Sequence, residues 1–253
     1  MTVARRAAAL AGAAVAADAL PLLASVGPLR RRATPGLAGI TAGPHVALTF
    51  DDGPDPGSTP RFLELLARHD RTATFFLLGA FVAQNAGLVR EMAAAGHELA
   101  VHGWDHRCVA LKRPGRLAAE LRRTAGLLED LTGGAVRFYR TPYGVTTAEA
   151  LLAARSTELR PVLWSAWGRD WERTATPQRI VRSIDRTLAP GGTLLLHDTD
   201  RTAAPGSWRR TLAATEVLLE RWRSEGWQVG PLRDHGLGGG ATTAWAGRRA
   251  PLT

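Results

Sequence analysis

The amino-acid sequence predicts an α/β fold, a closed or nearly closed barrel of seven parallel strands joined by helices. Three observations carry that prediction. Short apolar runs alternate with stretches of helical periodicity about seven times between His45 and Gly230. The runs are apolar along their whole length, which is the pattern of strands buried on both faces. No Gly-x-Gly-x-x-Gly turn follows the first run, which disfavours an open dinucleotide-binding sheet.

The elements follow in order. HVALTF (45–50) is the first strand, and STPRFLELLARH (58–69) is a helix with a Ser/Thr cap and Pro60 in its first turn. TATFFLL (72–78) is the second strand, GLVREMAAAG (87–96) a helix closed by Gly96, and HELAV (97–101) the third strand, leading into a loop. A long helix is expected from Pro114 to Thr132, where Leu117, Leu121, Leu128 and Leu131 share one face and Gly133 ends the pattern. Strand VRFY (136–139), helix TAEALLAAR (147–155), strand PVLW (161–164) and helix TPQRIVRSIDRTL (176–188) continue the alternation. Strand GTLLLH (192–197), helix SWRRTLAATEVLLERWRSEG (207–226) and WQVG (227–230) complete it.

The ends of the chain read differently. Residues 1–43 form an N-terminal unit: Arg5 and Arg6 precede the Ala/Leu-rich run AAALAGAAVAADALPLLASVGPL, and ATPGLAGITAGP (33–44) reads as a linker by its Gly and Pro content. A charged start with an apolar middle suits a secretory signal or membrane anchor. Asp18 and Pro21 within the run, and no clear small-x-small cleavage site, suit a helix packed on the domain; both readings stay open. The catalytic domain is expected over residues 44–235, with a Gly/Arg-rich tail over 236–253.

Composition narrows the class. With 253 residues, 45% of them hydrophobic, the chain can bury one sizeable core. The net charge of +9 and pI near 11.2 raise nucleic acid, anionic lipid or an acidic wall polymer as partners. All but one of the basic residues are arginine, Lys112 being the exception, and several lie in the terminal segments, so no nucleic-acid partner is expected. Cys108 is the sole cysteine, which excludes an intrachain disulfide.

In a parallel barrel, chemistry collects at the C-terminal ends of the strands. Here those positions hold Asp51 and Asp52 after the first strand, His102 and His106 after the third, and Arg140 after the fourth. Asp170 comes shortly after the fifth, while His197 and Asp198 end the sixth. Any one of these residues alone reads as a cap, a turn former or a satisfied interior group. Packing does not account for all of them at one kind of position.

HGWDH (102–106) spaces two imidazoles four residues apart, so that both reach one ion. It is not the zinc-protease helix, since Gly103 stands where that motif needs glutamate. The third ligand is expected from the Asp51/Asp52 pair. Neighbouring side chains on an extended segment point to opposite sides, so one carboxylate can bind a cation while the other stays free as a base. Two histidines and a carboxylate leave coordination positions open, as a catalytic ion requires.

TFDDGP, HGWDH, RTPYG, GRDW and LLLHD occur in that order over Val46 to Gly230. Together they resemble the five motifs of the polysaccharide deacetylases of the NodB-homology family, the family-four carbohydrate esterases. The resemblance implies a distorted (β/α)7 barrel of TIM-barrel-like type and a divalent metal, zinc foremost, with Co2+, Ni2+ or Fe2+ as alternatives. It implies removal of acetyl groups from N-acetylated glycans such as peptidoglycan or a chitin-like oligomer. It makes Asp52, His102 and His106 the metal ligands and Asp51 the general base. Arg140 holds that base, the Tyr143 backbone N–H serves the oxyanion, and His197 is the general acid tuned by Asp170. Trp171, Leu195 and Pro142 match the substrate pocket, and Trp104, Trp167 and Trp208 are candidates for a sugar-stacking groove.

The chemistry agrees with those roles, since amide hydrolysis needs an activated water, a stabilised oxyanion and a proton for the leaving amine. Pairing with Arg140 is expected to keep Asp51 ionised near neutral pH. The chain departs from the family pattern at Gly103, where serine or threonine is usual, at Thr141 in place of proline, and at Trp167 in place of an aspartate. The rival readings are an O-acetyl esterase, a non-haem iron oxygenase with the same ligand set, and a non-catalytic sugar-binding module. A polysaccharide substrate implies an extracytoplasmic enzyme, membrane-associated or secreted, with a cytoplasmic enzyme on a small acetylated sugar as the alternative. The N-terminal segment would hold it near membrane or wall, and a monomer is expected.

Overall fold

The computed structural model describes residues 20–237; the Ala-rich run as far as residue 19 and the tail beyond 237 lie outside the described residues. Gly27–Ala33 forms α1, with Pro28 in its first turn. The chain then runs through β1 (Val46–Asp51), α2 (Thr59–Arg68), β2 (Thr74–Leu77), α3 (Gly79–Gln84), α4 (Ala86–Ala94), β3 (Glu98–Val101) and α5 (Arg116–Thr132). It continues with β4 (Phe138–Tyr139), α6 (Ala148–Ser156), β5 (Arg160–Pro161), β6 (Ala166–Trp167), α7 (Pro177–Asp185), β7 (Thr193–His197), α8 (Ser207–Ser224) and β8 (Val229–Gly230).

The strands are parallel in the order β5-β4-β3-β2-β1-β7-β6, and β8 pairs with the start of β1. β1 and β2 are buried at every position, and their sequences are accordingly apolar except at Thr49, Asp51 and Thr74. Phe50, Phe62 and Phe75 meet at the centre of the core, with ring centroids 5.1 Å apart. The helices cover the outer face with apolar stripes, as α5 does through buried Leu117, Leu121 and Leu128.

One expected strand is largely absent: of PVLW (161–164) only Pro161 is paired, in β5, and a separate unexpected strand, β6, follows at Ala166–Trp167. β5 pairs with β4 and β6 pairs with β7, and the two do not pair with each other. The curled sheet is therefore open at this seam. The N-terminal segment enters it: Leu163 N donates to Leu37 O at 2.7 Å, and Thr193 Oγ1 donates to Gly39 O at 2.8 Å. Gly39 has φ 64°, and a Cβ there would come within 2.3 Å of Thr193 Oγ1. Only glycine can pass so close in that conformation. A short helix, α3, was also missed, because its six residues are too few for a periodic signal.

Strand register sets the rim. Asp51 lies opposite His197 on β7 and Phe76 on β2. His102 and Arg140 each follow directly on a paired position, Val101 opposite Tyr139. Residues distant in sequence thus arrive at one level of the barrel.

Candidate active site

The rim residues surround a pocket of 260 Å³ lined by Asp51, His102, His106, Trp167, Trp171 and His197, among others. Asp51 is buried, and its Oδ1 accepts a hydrogen bond from Arg140 Nη1 at 2.7 Å. The Arg140 guanidinium is fully buried and spends its remaining donors on Val162 O, Leu163 O and Thr49 Oγ1, while Phe76 lies against its face at 4.0 Å. Burial lowers its pKa from the ordinary arginine value, and the Asp51 carboxylate opposes that shift. Five held contacts fix the fork, so Asp51 is held in turn.

The neighbouring carboxylate faces two imidazoles. Asp52 Oδ1 lies 3.3 Å from His102 Nε2 and 3.2 Å from His106 Nε2. The three ligating atoms lie within 4.8 Å of one another. Asp52 Oδ1 is buried and has no hydrogen-bond partner, although Thr202 donates to its other oxygen. A buried, unpartnered carboxylate oxygen between two ring nitrogens is what a cation would satisfy. His102 Nδ1 lies 3.0 Å from Arg140 O; a carbonyl only accepts, so the proton sits on Nδ1 and the Nε2 lone pair faces the site. Burial and the charge of His102 push His106 down to about 4, which keeps it in the neutral form a ligand needs. Burial opposes ionisation of Asp52, but the neighbouring imidazoles, His102 foremost, then His197 and His106, hold its carboxyl below the usual carboxylate range. The residues present therefore fit a divalent ion.

The two aspartates do not separate by strand alternation, as the sequence suggested. Asp52 has φ 78°, and that left-handed turn brings both carboxylates toward one imidazole, with Asp51 Oδ2 at 3.8 Å from His102 Nε2. Gly53 is needed next, since a Cβ there would lie 2.7 Å from the Asp198 carboxylate. Asp198 accepts from Thr59 Oγ1, and burial raises its pKa to about 7. Its place is under the turn that carries the aspartates.

His197 stands at the end of β7, the register partner of Asp51 on β1. Asp170, fully buried, accepts from His197 N at 2.8 Å and from Thr211 Oγ1 at 3.0 Å through one oxygen. Its other oxygen lies 3.1 Å from His197 Nδ1. Burial works against a charged imidazole, but the Asp170 carboxylate outweighs it and raises His197 to about 10. Trp171 sits edge-on to the ring at 5.5 Å.

Leu195, Thr141 and Tyr143 also line the pocket. Tyr143 is 63% exposed at φ 59° and meets His106 edge-on at 4.5 Å. Pro142 is buried at the start of the same turn. Trp104 is not among the lining residues: its ring packs against Gly79 and under the Arg123 guanidinium at 3.6 Å. Trp208 likewise packs on the core. Of the four tryptophans considered for the groove, Trp167 and Trp171 line the pocket.

Some contributors were missed by the sequence reading. Trp164 lines the pocket and stacks with Trp167 at 5.8 Å; its position at the end of a predicted strand was the available signal. Thr202 also lines it, and Arg201 donates to Asp52 O at 2.8 Å. Behind Trp164 lies Arg30, 3% exposed, which donates to Trp164 O at 2.9 Å and Ala24 O at 3.0 Å, with its guanidinium 4.8 Å from the indole centroid. A run of three arginines, Arg30 to Arg32, gave no hint that its first member is a core residue.

Comparisons with known proteins bear on the same residues. Residues 38–162 match the family described as polysaccharide deacetylase. A chitooligosaccharide deacetylase of Bradyrhizobium sp. (strain ANU 289) is 34% identical over 194 residues, covering 74% of this chain and 88% of that protein. The peptidoglycan-N-acetylglucosamine deacetylase PgdA of Listeria monocytogenes is 31% identical over 73% of this chain, a match to 37% of that longer protein. Among solved structures, a CE4 family pseudoenzyme from Bacillus anthracis superposes with TM-score 0.68 and 25% identity, covering 76% of this chain and 65% of that one. Because that fold also occurs in a pseudoenzyme, the fold alone does not carry activity.

Proposed function

Because the chain belongs to the polysaccharide deacetylase family and is a deacetylase, we propose that it hydrolyses N-acetyl groups of a polysaccharide, a chitin-like or peptidoglycan glycan, with a divalent cation held by Asp52, His102 and His106. One observation carries this reading. A carboxylate pinned by a buried arginine and an imidazole pinned by a buried carboxylate face one pocket from paired positions of β1 and β7, beside the unpartnered Asp52 Oδ1.

Bound there, a divalent ion would supply Lewis-acid polarisation of the acetyl carbonyl and a lowered pKa for water, with zinc the first candidate. The chain's own residues do the rest. Asp51 takes a proton from water as its oxygen adds to the acetyl carbon, and Arg140 keeps that carboxylate in place. The backbone N–H of Tyr143 is the donor offered to the oxygen that gains charge. His197, kept protonated by Asp170, gives its proton to the sugar nitrogen as the carbon–nitrogen bond breaks. Acetate and a free amine are the products. Trp164, Trp167, Trp171 and Leu195 form an apolar wall suited to the acetyl methyl and a sugar face. A polymer of this kind puts the enzyme outside the cytoplasmic membrane; no helix among the described residues is long and apolar enough to cross one.

The test is acetate release from a panel of N- and O-acetylated glycans by chelated protein, before and after Zn2+, Co2+, Ni2+ or Fe2+ is returned. Release from N-acetylated oligomers that disappears on chelation and returns with one of these ions is the expected result. Release from O-acetylated glycans alone would make the protein an esterase, and release from none would end the catalytic reading.

A further inference from the structure

A second hollow of 310 Å³ lies beside the catalytic pocket, and its lining is cationic. Gly168, Arg169 and Glu172 enter it from the loop after β6, and Arg179, Arg182 and Arg186 from α7 and its C-cap. The two hollows share one loop: Trp167 and Trp171 line the catalytic pocket, while the residues between and beside them line the cleft. Ser183, also in the cleft, donates from Oγ to Trp167 O at 3.0 Å, and the Arg169 guanidinium lies 5.9 Å from the Trp167 ring centroid. Trp167 is 37% exposed and so stands at the boundary between them.

The charges in the cleft do not cancel. Arg169 pairs with Glu172 at 2.6 Å, and Asp185 on α7 is taken by Arg221 at 3.0 Å. Arg179, Arg182 and Arg186 have no acidic partner among the described residues. Their spacing of three and four puts them on one helix face, where like charges repel. Arg182 and Arg186 stand in the last turn and at the C-cap of α7, where the helix dipole favours a cation, but Arg179 stands in the first turn, where it opposes one. Local helix stability leaves Arg179 and the crowding of three like charges unexplained, whereas an oxyanion accounts for both, since guanidinium forks match carboxylate and phosphate oxygens.

Resting on the deacetylase reading of the neighbouring pocket, we propose that this cleft binds an oxyanion substituent, carboxylate or phosphate, borne by the glycan itself, so that the preferred substrate is an anionic acetylated polysaccharide. The glycan would cross the boundary at Trp167, with the acetyl group on one side and the charged group on the other.

Acetate release by the full chain with metal supplied is measured on N-acetylated oligosaccharides of equal length: one neutral, one bearing carboxylates and one bearing phosphates. At low ionic strength KM for a charged oligomer is expected to be about fivefold below that for the neutral one, the scale of exposed ion pairs. The stronger of the two charged arms names the oxyanion. In R182Q/R186Q the ratio should fall toward one, as it should for the wild type in about 0.5 M salt, where screening is short-ranged. R182K/R186K, which keeps the charge, should retain part of it. Equal KM values in the wild type, or a ratio untouched by R182Q/R186Q, would overturn the proposal. So would loss of binding to phosphatidylglycerol vesicles in R182Q/R186Q with the KM ratio intact, which would make the cleft a membrane contact. If no oligomer releases acetate, the deacetylase reading fails by itself. Tryptophan-fluorescence titration with the carboxylated oligomer then decides the cleft: binding lost in R182Q/R186Q upholds it, and no binding overturns it.

Discussion

Asp51 and Asp52 are adjacent in sequence and both approach His102, yet one is paired with Arg140 and the other is set between two imidazoles. Their substitutions should separate accordingly. Asp51→Asn is expected to lower kcat by about 10²–10⁴, the usual worth of a general base, while calorimetric Zn2+ affinity stays close to wild type. His106→Ala should weaken the ion's binding as well, and equal Zn2+ affinities in the two variants would sink the division of labour. Asp170→Asn tests the acid. With His197 as the proposed general acid its protonated form is the active one, so activity should fall as pH rises through its pKa, which Asp170 raises to about 10. Removing that carboxylate should move the basic limb of the kcat/KM profile to lower pH. A limb that stays put would mean that another group sets it.

At the scale of elements, the seam between β5 and β6 is where local pattern and tertiary structure part. β5 and β6 pair with different neighbours and not with each other, which leaves an opening, and residues 37–39 occupy it through hydrogen bonds to Leu163 and Thr193. Arg30 on α1 then braces Trp164 from behind. Arg30→Ala should destabilise the protein by about 2 kcal/mol in urea unfolding, the scale of charged hydrogen bonds lost from a buried group. It should also raise KM more than it lowers kcat, because Trp164 lines the pocket and meets the Asp51 pair only through its ring, 5.8 Å from the Arg140 guanidinium. A variant with unchanged stability and KM would show that α1 merely lies on the surface.

For the whole molecule, buried histidines set the acid limit. His97 accepts from Ala73 N at 3.2 Å through Nδ1, and burial followed by the charge of Arg233 lowers it to about 4. A folded-state pKa below the unfolded value of 6.5 means stability is fully present above pH 6.5 and is lost as pH falls toward 4. Metal-free protein should therefore lose thermal stability across that window, His106 contributing in the same direction. His97→Gln should flatten the dependence, and an unchanged slope of Tm against pH would place the loss elsewhere. On the alkaline side His197 acts in reverse: its stabilisation is full below pH 6.5 and disappears as pH rises through about 10.

The sequence by itself determined the parallel α/β architecture, because strands buried on both faces are mainly apolar, as β1 and β2 are outside Thr49, Asp51 and Thr74. It also singled out a set of rim positions, since the strand-end rule joined Asp51, Asp52, His102, His106, Arg140, Asp170 and His197, and one pocket gathers them or their immediate partners. Tertiary structure alone decided how the two aspartates divide: the left-handed φ of Asp52 is held by the Gly53 turn over Asp198, contacts that no local propensity encodes. It likewise decided that Trp104 faces Gly79 and Arg123 while Trp164 faces the pocket, and that Arg30 is buried beneath the seam. A tryptophan looks the same in sequence whether it packs a core or lines a groove, and an arginine looks solvated until distant carbonyls take its protons. Periodicity reports which side of an element is buried; only the meeting of elements fixes what lies against it.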